Sequence, residues 1–137
     1  MPFSAALART RLTDEANRAL EGTSSFPVRD LLYCLRDELV PTVDDQGTAV
    51  AVFQVVELAA QLGLLLTMSP AEYPGRMKSV GTARGQAMLT YRMLTEGLEE
   101  LRRRDPGRTG PPALDVPPVA QAIDLLPAIH LALRTGK

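Results

Sequence analysis

The sequence predicts an all-α fold, a single-domain bundle of about five helices. Three observations predict it. Apolar residues recur three and four apart through long segments of the 137 residues, which is the spacing of one buried helical face. Ala and Leu dominate while aromatics make up only 4% of the chain, a composition that favours helix over sheet. Gly22, Pro41, Pro74-Gly75 and Pro106-Gly107 then punctuate segments of helical length. The helices expected are approximately 3–21, 27–40, 46–67, 76–104 and 118–134.

The first helix places Leu12, Ala16, Ala19 and Leu20 on one side. Thr13-Asp14-Glu15 offers an alternative start, because acidic residues favour a helix N-terminus. Gly22 ends the helix, and Gly22–Ser25 reads as a loop. Ser25 and Pro27 open the second helix, Pro being suited to a first turn. Val28, Leu31, Leu32, Leu35 and Leu39 form its apolar face. Pro41 stops it, and Asp44 or Asp45 is placed to cap the helix that follows.

That third helix contains the most apolar run of the chain, residues 48–68, and Glu57 is the only charge in the run. About 20 apolar residues suffice to cross a bilayer. Gln54, Glu57 and Gln61, however, fall on one narrow helical stripe. A carboxylate near mid-span costs roughly 2.5–3.5 kcal/mol, and no Trp or Tyr flanks the run. A bundle helix wrapped on most of its circumference is the reading favoured over a span. The Val-rich stretch 49–56 also suits a strand, but its continuation is too long for one.

Ser69-Pro70-Ala71-Glu72 has a capping-box pattern. A long fourth helix follows, with a seam of Met77, Val80, Arg84, Ala87, Tyr91, Leu94, Leu98 and Leu101. Gly81 and Gly85 sit beside it at the spacing of close helix contacts, a weak signal outside a membrane. Residues 1–104 are thus the expected bundle core and 105–118 a Pro/Gly linker. Residues 119–137 form an apolar C-terminal helix that docks in cis or on a partner subunit. Pro127 should kink or split it.

Composition narrows the function classes. Net charge is −1, so no overall field draws in nucleic acid or an anionic membrane. Cys34 is the one cysteine, which rules out an internal disulfide and a cysteine-based metal cluster. The first dozen residues lack the long apolar core of a signal peptide. A cytoplasmic location is expected.

Three groups of residues are candidates for function. Val119, Ile123, Leu126, Ile129, His130 and Leu133 form the apolar face of the last helix, a candidate subunit interface. Glu57 and Arg84 are charges on otherwise apolar elements, a candidate buried or intersubunit ion pair. The competing setting for Glu57 is an exposed stripe with Gln54 and Gln61. Arg92, Arg102, Arg103 and Arg104 are candidate phosphate-binding residues. Against that, Glu99 precedes Arg103 by four residues and Glu100 precedes Arg104 by four, the favourable order for helical ion pairs. His130 is the sole histidine and no other metal-ligand spacing accompanies it; Cys34 reads as a packed thiol. No catalytic residue, cofactor or metal is expected. The expected function is a non-catalytic helical protein–protein interaction or assembly module, an adaptor or small structural subunit of a larger complex, with a second copy (dimer or larger) as its expected partner and a heterologous protein as a further one. The runner-up is a helical nucleic-acid-associated subunit using the Arg-rich long helix.

Overall fold

Ser4 starts the first helix: its Oγ accepts a hydrogen bond from the Leu7 N–H at 3.2 Å. The helix, α1, therefore spans Ala5–Glu21, two residues shorter at its start than expected. In the computed structural model, residues 3–67, 77–104 and 118–135 are described, with side chains for 3–66, 85–103 and 119–134. Among these residues the fold is an all-α bundle, with six α-helical segments and no strand. Leu12, Ala16 and Leu20 are the buried face of α1.

Helix α2, Phe26–Cys34, has Pro27 in its first turn. Arg29 joins it to α1. Its Nη1 donates to the carbonyl oxygens of Leu20 at 2.6 Å and Thr23 at 3.0 Å, and its Nη2 donates to the Tyr33 hydroxyl at 3.1 Å. A guanidinium thus satisfies carbonyls that the end of α1 leaves open, with the charge sign that end favours.

The expected helix 27–40 does not stay regular to its end. It passes into a π turn at Leu35–Leu39 and a 3-10 turn at Val40–Thr42. The cause lies in Pro41, which has no N–H and whose ring crowds the carbonyl four residues back. Ahead of it the backbone widens, and the Val40 N–H reaches the Leu35 carbonyl. Leu35, Leu39, Val40 and Val43 stay buried through the change of pitch. Arg9 Nε donates to the Val43 carbonyl at 2.7 Å, which fastens this turn to α1.

Asp45 begins α3, Gln46–Thr67. Its carboxylate accepts from the Thr48 N–H at 2.7 Å and the Thr48 hydroxyl at 2.8 Å. Val52, Val55, Val56, Ala59 and Leu62 face the core. Gln54, Glu57 and Gln61 are exposed. The helix makes its most extensive contacts with α1 and with α4; Val50, Phe53 and Leu64 are exposed along with the polar strip, so α3 is covered on less of its circumference than the sequence led one to expect.

Helix α4 spans Met77–Arg104. From residue 85 onward its expected seam is the inward face: Ala87, Leu94, Leu98 and Leu101 are buried and Tyr91 is half-buried. Thr90 joins them. The capping-box pattern at 69–72 and the linker up to residue 117 lie outside the described residues.

The last helical segment is split. α5 spans Pro118–Asp124 and α6 spans Leu126–Thr135. Leu125 makes the break, donating its N–H to the Ala122 carbonyl at 3.1 Å. Pro127 thereby sits in the first turn of a new helix, where its missing N–H removes no bond. Both segments pack within the chain, α5 on α2, α4 and the π turn, and α6 on α2 and α4. Val119, Leu126, Ile129 and Leu133 are buried there and Ile123 is half-buried. The face read from sequence as a candidate subunit interface is therefore covered by the chain's own α2 and α4. The physical requirement, that so apolar a face leave water, is met in cis.

Candidate functional site

With that face covered, the exposed apolar side chains that remain are informative. On α4 they are Met88, Leu89 and Met93, and on α6 Leu131. Gly85, Leu89, Arg92 and Glu96 follow one another three and four apart, with Met88 beside them, so they share the outward side of α4. Leu89 is 55% exposed and Leu131 59%, a large area for side chains that gain from burial.

Between α4 and α6 this side opens into a cleft of about 430 Å³, lined by Gly85, Met88, Leu89, Tyr91, Arg92, Thr95, Glu96 and His130. Its floor is aromatic. The Tyr91 and His130 rings lie 5.4 Å apart between centroids, tilted by 36°, a separation within the range of favourable aromatic pairs. The Tyr91 hydroxyl donates to the Leu126 carbonyl at 3.3 Å, at the start of α6. The Thr95 hydroxyl donates to the Tyr91 carbonyl at 2.9 Å. Burial pushes the Tyr91 phenol above its ordinary range, partly offset by its hydrogen bond with Thr95. Tyr91 is thus a neutral anchor between the two helices.

Arg92 and Glu96 stand at the rim. Among the described residues neither takes part in an ion pair. Their order explains it. A cation four residues before an anion is the poorer arrangement for pairing within a helix.

The arginines further along differ. Arg102 lies 3.7 Å from Glu99 and Arg103 2.9 Å from Glu100. The partners are three residues apart, whereas the sequence reading set them four apart; both spacings bring side chains together on a helix. Arg102 and Arg103 are thus partly neutralised, and the Arg104 side chain lies outside the described residues. Of the four candidate phosphate-binding arginines, Arg92 is the described one without a carboxylate partner.

Glu57 is exposed on the outer strip of α3. It borders a second cleft, of about 250 Å³, with Glu15, Arg18, Gly22, Gln61 and Leu64, in which Arg18 and Glu15 pair at 2.7 Å. The Arg84 side chain lies outside the described residues, so the Glu57–Arg84 pairing does too. The exposed setting frees Glu57 of the desolvation that would demand a partner.

Two further features complete the inventory. On α2, the Arg29 and Arg36 guanidiniums stand 5.7 Å and 5.0 Å from the Tyr33 ring centroid. Arg36 also bonds Asp37 at 2.8 Å and Asn17 at 2.8 Å, and the Arg36 hydrogen bond holds the Asp37 carboxyl below its usual range. Cys34 is half-buried, and burial pushes its thiol up, aided by the Glu38 and Asp37 carboxylates. That is the reverse of an activated thiolate. Among the described residues no three His, Cys, Asp or Glu side chains converge. Among the described residues one helix, over Gln46–Leu66, is long and apolar enough to cross a membrane by length and composition.

The α4–α6 cleft was not singled out from sequence, although Arg92 and His130 were. Its signal was present: Met88, Leu89 and Met93 fall off the seam at helical spacing, more apolar positions than one buried face requires. No family model, no curated protein and no solved structure matches this chain.

Proposed function

We propose that the protein is a non-catalytic assembly module that self-associates through the outward side of α4 and the adjoining end of α6. The observation that carries this reading is the exposure of Met88, Leu89 and Met93 on α4 and of Leu131 on α6 after the C-terminal helices have closed the bundle. A chain whose apolar C-terminal segment were free would need a partner to cover it; this chain covers that segment itself and leaves a smaller, mixed patch. Mixed patches of apolar and charged side chains suit reversible contacts between folded proteins. Tyr91 supports the reading by fixing α6 against α4, so that the patch is presented on a rigid base.

Mass measurement of the full chain in solution, over a concentration series, tests the proposal. A mass that rises from one chain to a defined multiple supports it. One chain at every concentration removes its main support.

A further inference from the structure

If the assembly reading holds, the structure also selects how two copies meet. We infer that α4 packs antiparallel on the α4 of a second copy across a two-fold axis, with Arg92 of each protomer bonded to Glu96 of the other.

Charge complementarity selects this contact. A two-fold contact brings one patch against itself, so every charge on it must find its opposite on the same patch. The outward side of α4 meets that condition. It carries an unpaired cation and an unpaired anion, both exposed, one helical turn apart, which is about 6 Å along the axis. Running two such helices in opposite directions sets Arg92 against the partner's Glu96 and Glu96 against the partner's Arg92. Both groups are already aimed outward, and their order denies them each other within the helix.

The same register brings other residues of α4 together. Met88 and Leu89 come opposite the region of the partner's Glu99 and Glu100, and Gly85 opposite that of the partner's Arg103. The apolar stem of the partner's Arg103 can lie against Gly85 while its head stays in water. Gly85 has nothing within 4 Å of where a Cβ would stand, which leaves room for such a stem.

The outward strip of α3 fails the condition. Its exposed residues include Val50, Phe53, Gln54, Glu57, Gln61 and Leu64. A two-fold there would bring Glu57 toward its own copy with no cation on the strip to receive it. The outer side of α6 offers Leu131 and no paired charges of its own.

The test is a reciprocal charge swap, read by sedimentation equilibrium of the full chain. Arg92→Glu and Glu96→Arg should each weaken the dimer about tenfold or more, since each sets like charges against each other. An equimolar mixture of the R92E and E96R chains sets opposite charges at both contacts without creating a pair inside either helix, and should dimerise with a dissociation constant within about threefold of that of the original chain. Among the described residues neither has a partner, so helix content by circular dichroism should be unchanged. The unaltered dimer should also weaken with added salt, a readout that needs no variant. A dimer indifferent to the single swaps or to salt overturns this pairing and leaves the assembly reading standing. A mixture of the two single variants that dimerises no better than either alone overturns the two-fold reciprocity. A chain that is a monomer at all concentrations overturns both and leaves the face to a different partner.

Discussion

At Gly63 a methyl group would stand 2.7 Å from both Cβ and Oγ1 of Thr23 and 3.1 Å from Val28 Cγ1; at Gly85 it would meet nothing within 4 Å. Both glycines lie inside helices, where glycine costs about 1 kcal/mol relative to alanine. At Gly63 the cost has a return inside the chain. The loop after α1 comes down onto the α3 backbone, and the buried Thr23 hydroxyl donates to the Gly63 carbonyl at 3.1 Å. At Gly85 no such return exists within the bundle. The contrast separates two regions. The corner of α1, α2 and α3 is closed, and its residues answer to one another. The outer edge of α4 and α6 is open, and its residues make better sense with something laid against them. Gly97 falls between the two, with Val55 Cγ2 at 3.1 Å from its would-be Cβ.

Substitutions can sharpen or break this contrast. The largest effect is expected in the closed region: Leu62→Ala, at a fully buried side chain, should cost about 2–5 kcal/mol in urea unfolding. The same truncation at exposed Leu89 should stay within about 0.5 kcal/mol under conditions where the chain is a monomer. Equal losses at the two sites would show that the α4 edge is as closed as the core. Next comes Gly63→Ala, expected to destabilise by about 1–3 kcal/mol through overpacking against Thr23 and Val28. Little change there would mean that the loop yields easily and that the close approach is not a constraint. Gly85→Ala should do the opposite, raising monomer stability by roughly 0.5–1 kcal/mol through helix propensity alone. A loss at Gly85 would point to a contact inside the chain.

The smallest effect concerns Cys34, which lies on the closed side. Its thiol is raised by burial, so the folded state favours the neutral form. The sign follows from linkage. Stability from this group is fully present below the ordinary thiol pKa and is lost as pH rises through the raised value. Alkylation at mildly alkaline pH should therefore be slower in the folded chain than in the urea-unfolded chain, and the two rates should converge at high pH. A faster folded-state reaction would contradict the burial.

Much of the bundle is written locally. The repeat of Leu31, Leu32, Leu35 and Leu39, the seam from Ala87 to Leu101, and the exposed strip of Gln54, Glu57 and Gln61 each follow from helical spacing, which a single segment displays by itself. The break in the last helix is legible because proline acts on its own backbone. What stays hidden depends on partners distant in sequence. Gly63 sits in a Leu-rich run and looks like filler until Thr23, 40 residues earlier, is brought to it. The π turn needs Pro41 together with the burial of Leu39 and Val40 on both sides of it. The apolar C-terminal face declares only that it must be covered, not by which chain. Likewise, spacing alone allows Glu99 and Glu100 to pair three or four residues ahead. In the α4–α6 cleft, Arg92 and His130 were visible as residue types. Their shared cleft arises from the way α6 docks, which no local pattern encodes.

The Arg29 contacts bear on how the molecule opens. One guanidinium holds the last turn of α1, the loop behind it and, through Tyr33, the body of α2. To fray the end of α1 is to strip a cation of its carbonyl partners, and to lift α2 is to strip the same cation. Neither event can proceed far alone. In hydrogen exchange the amides flanking the loop should therefore lose protection together, as one cooperative unit, while truncating this arginine should let the two helices exchange on separate schedules.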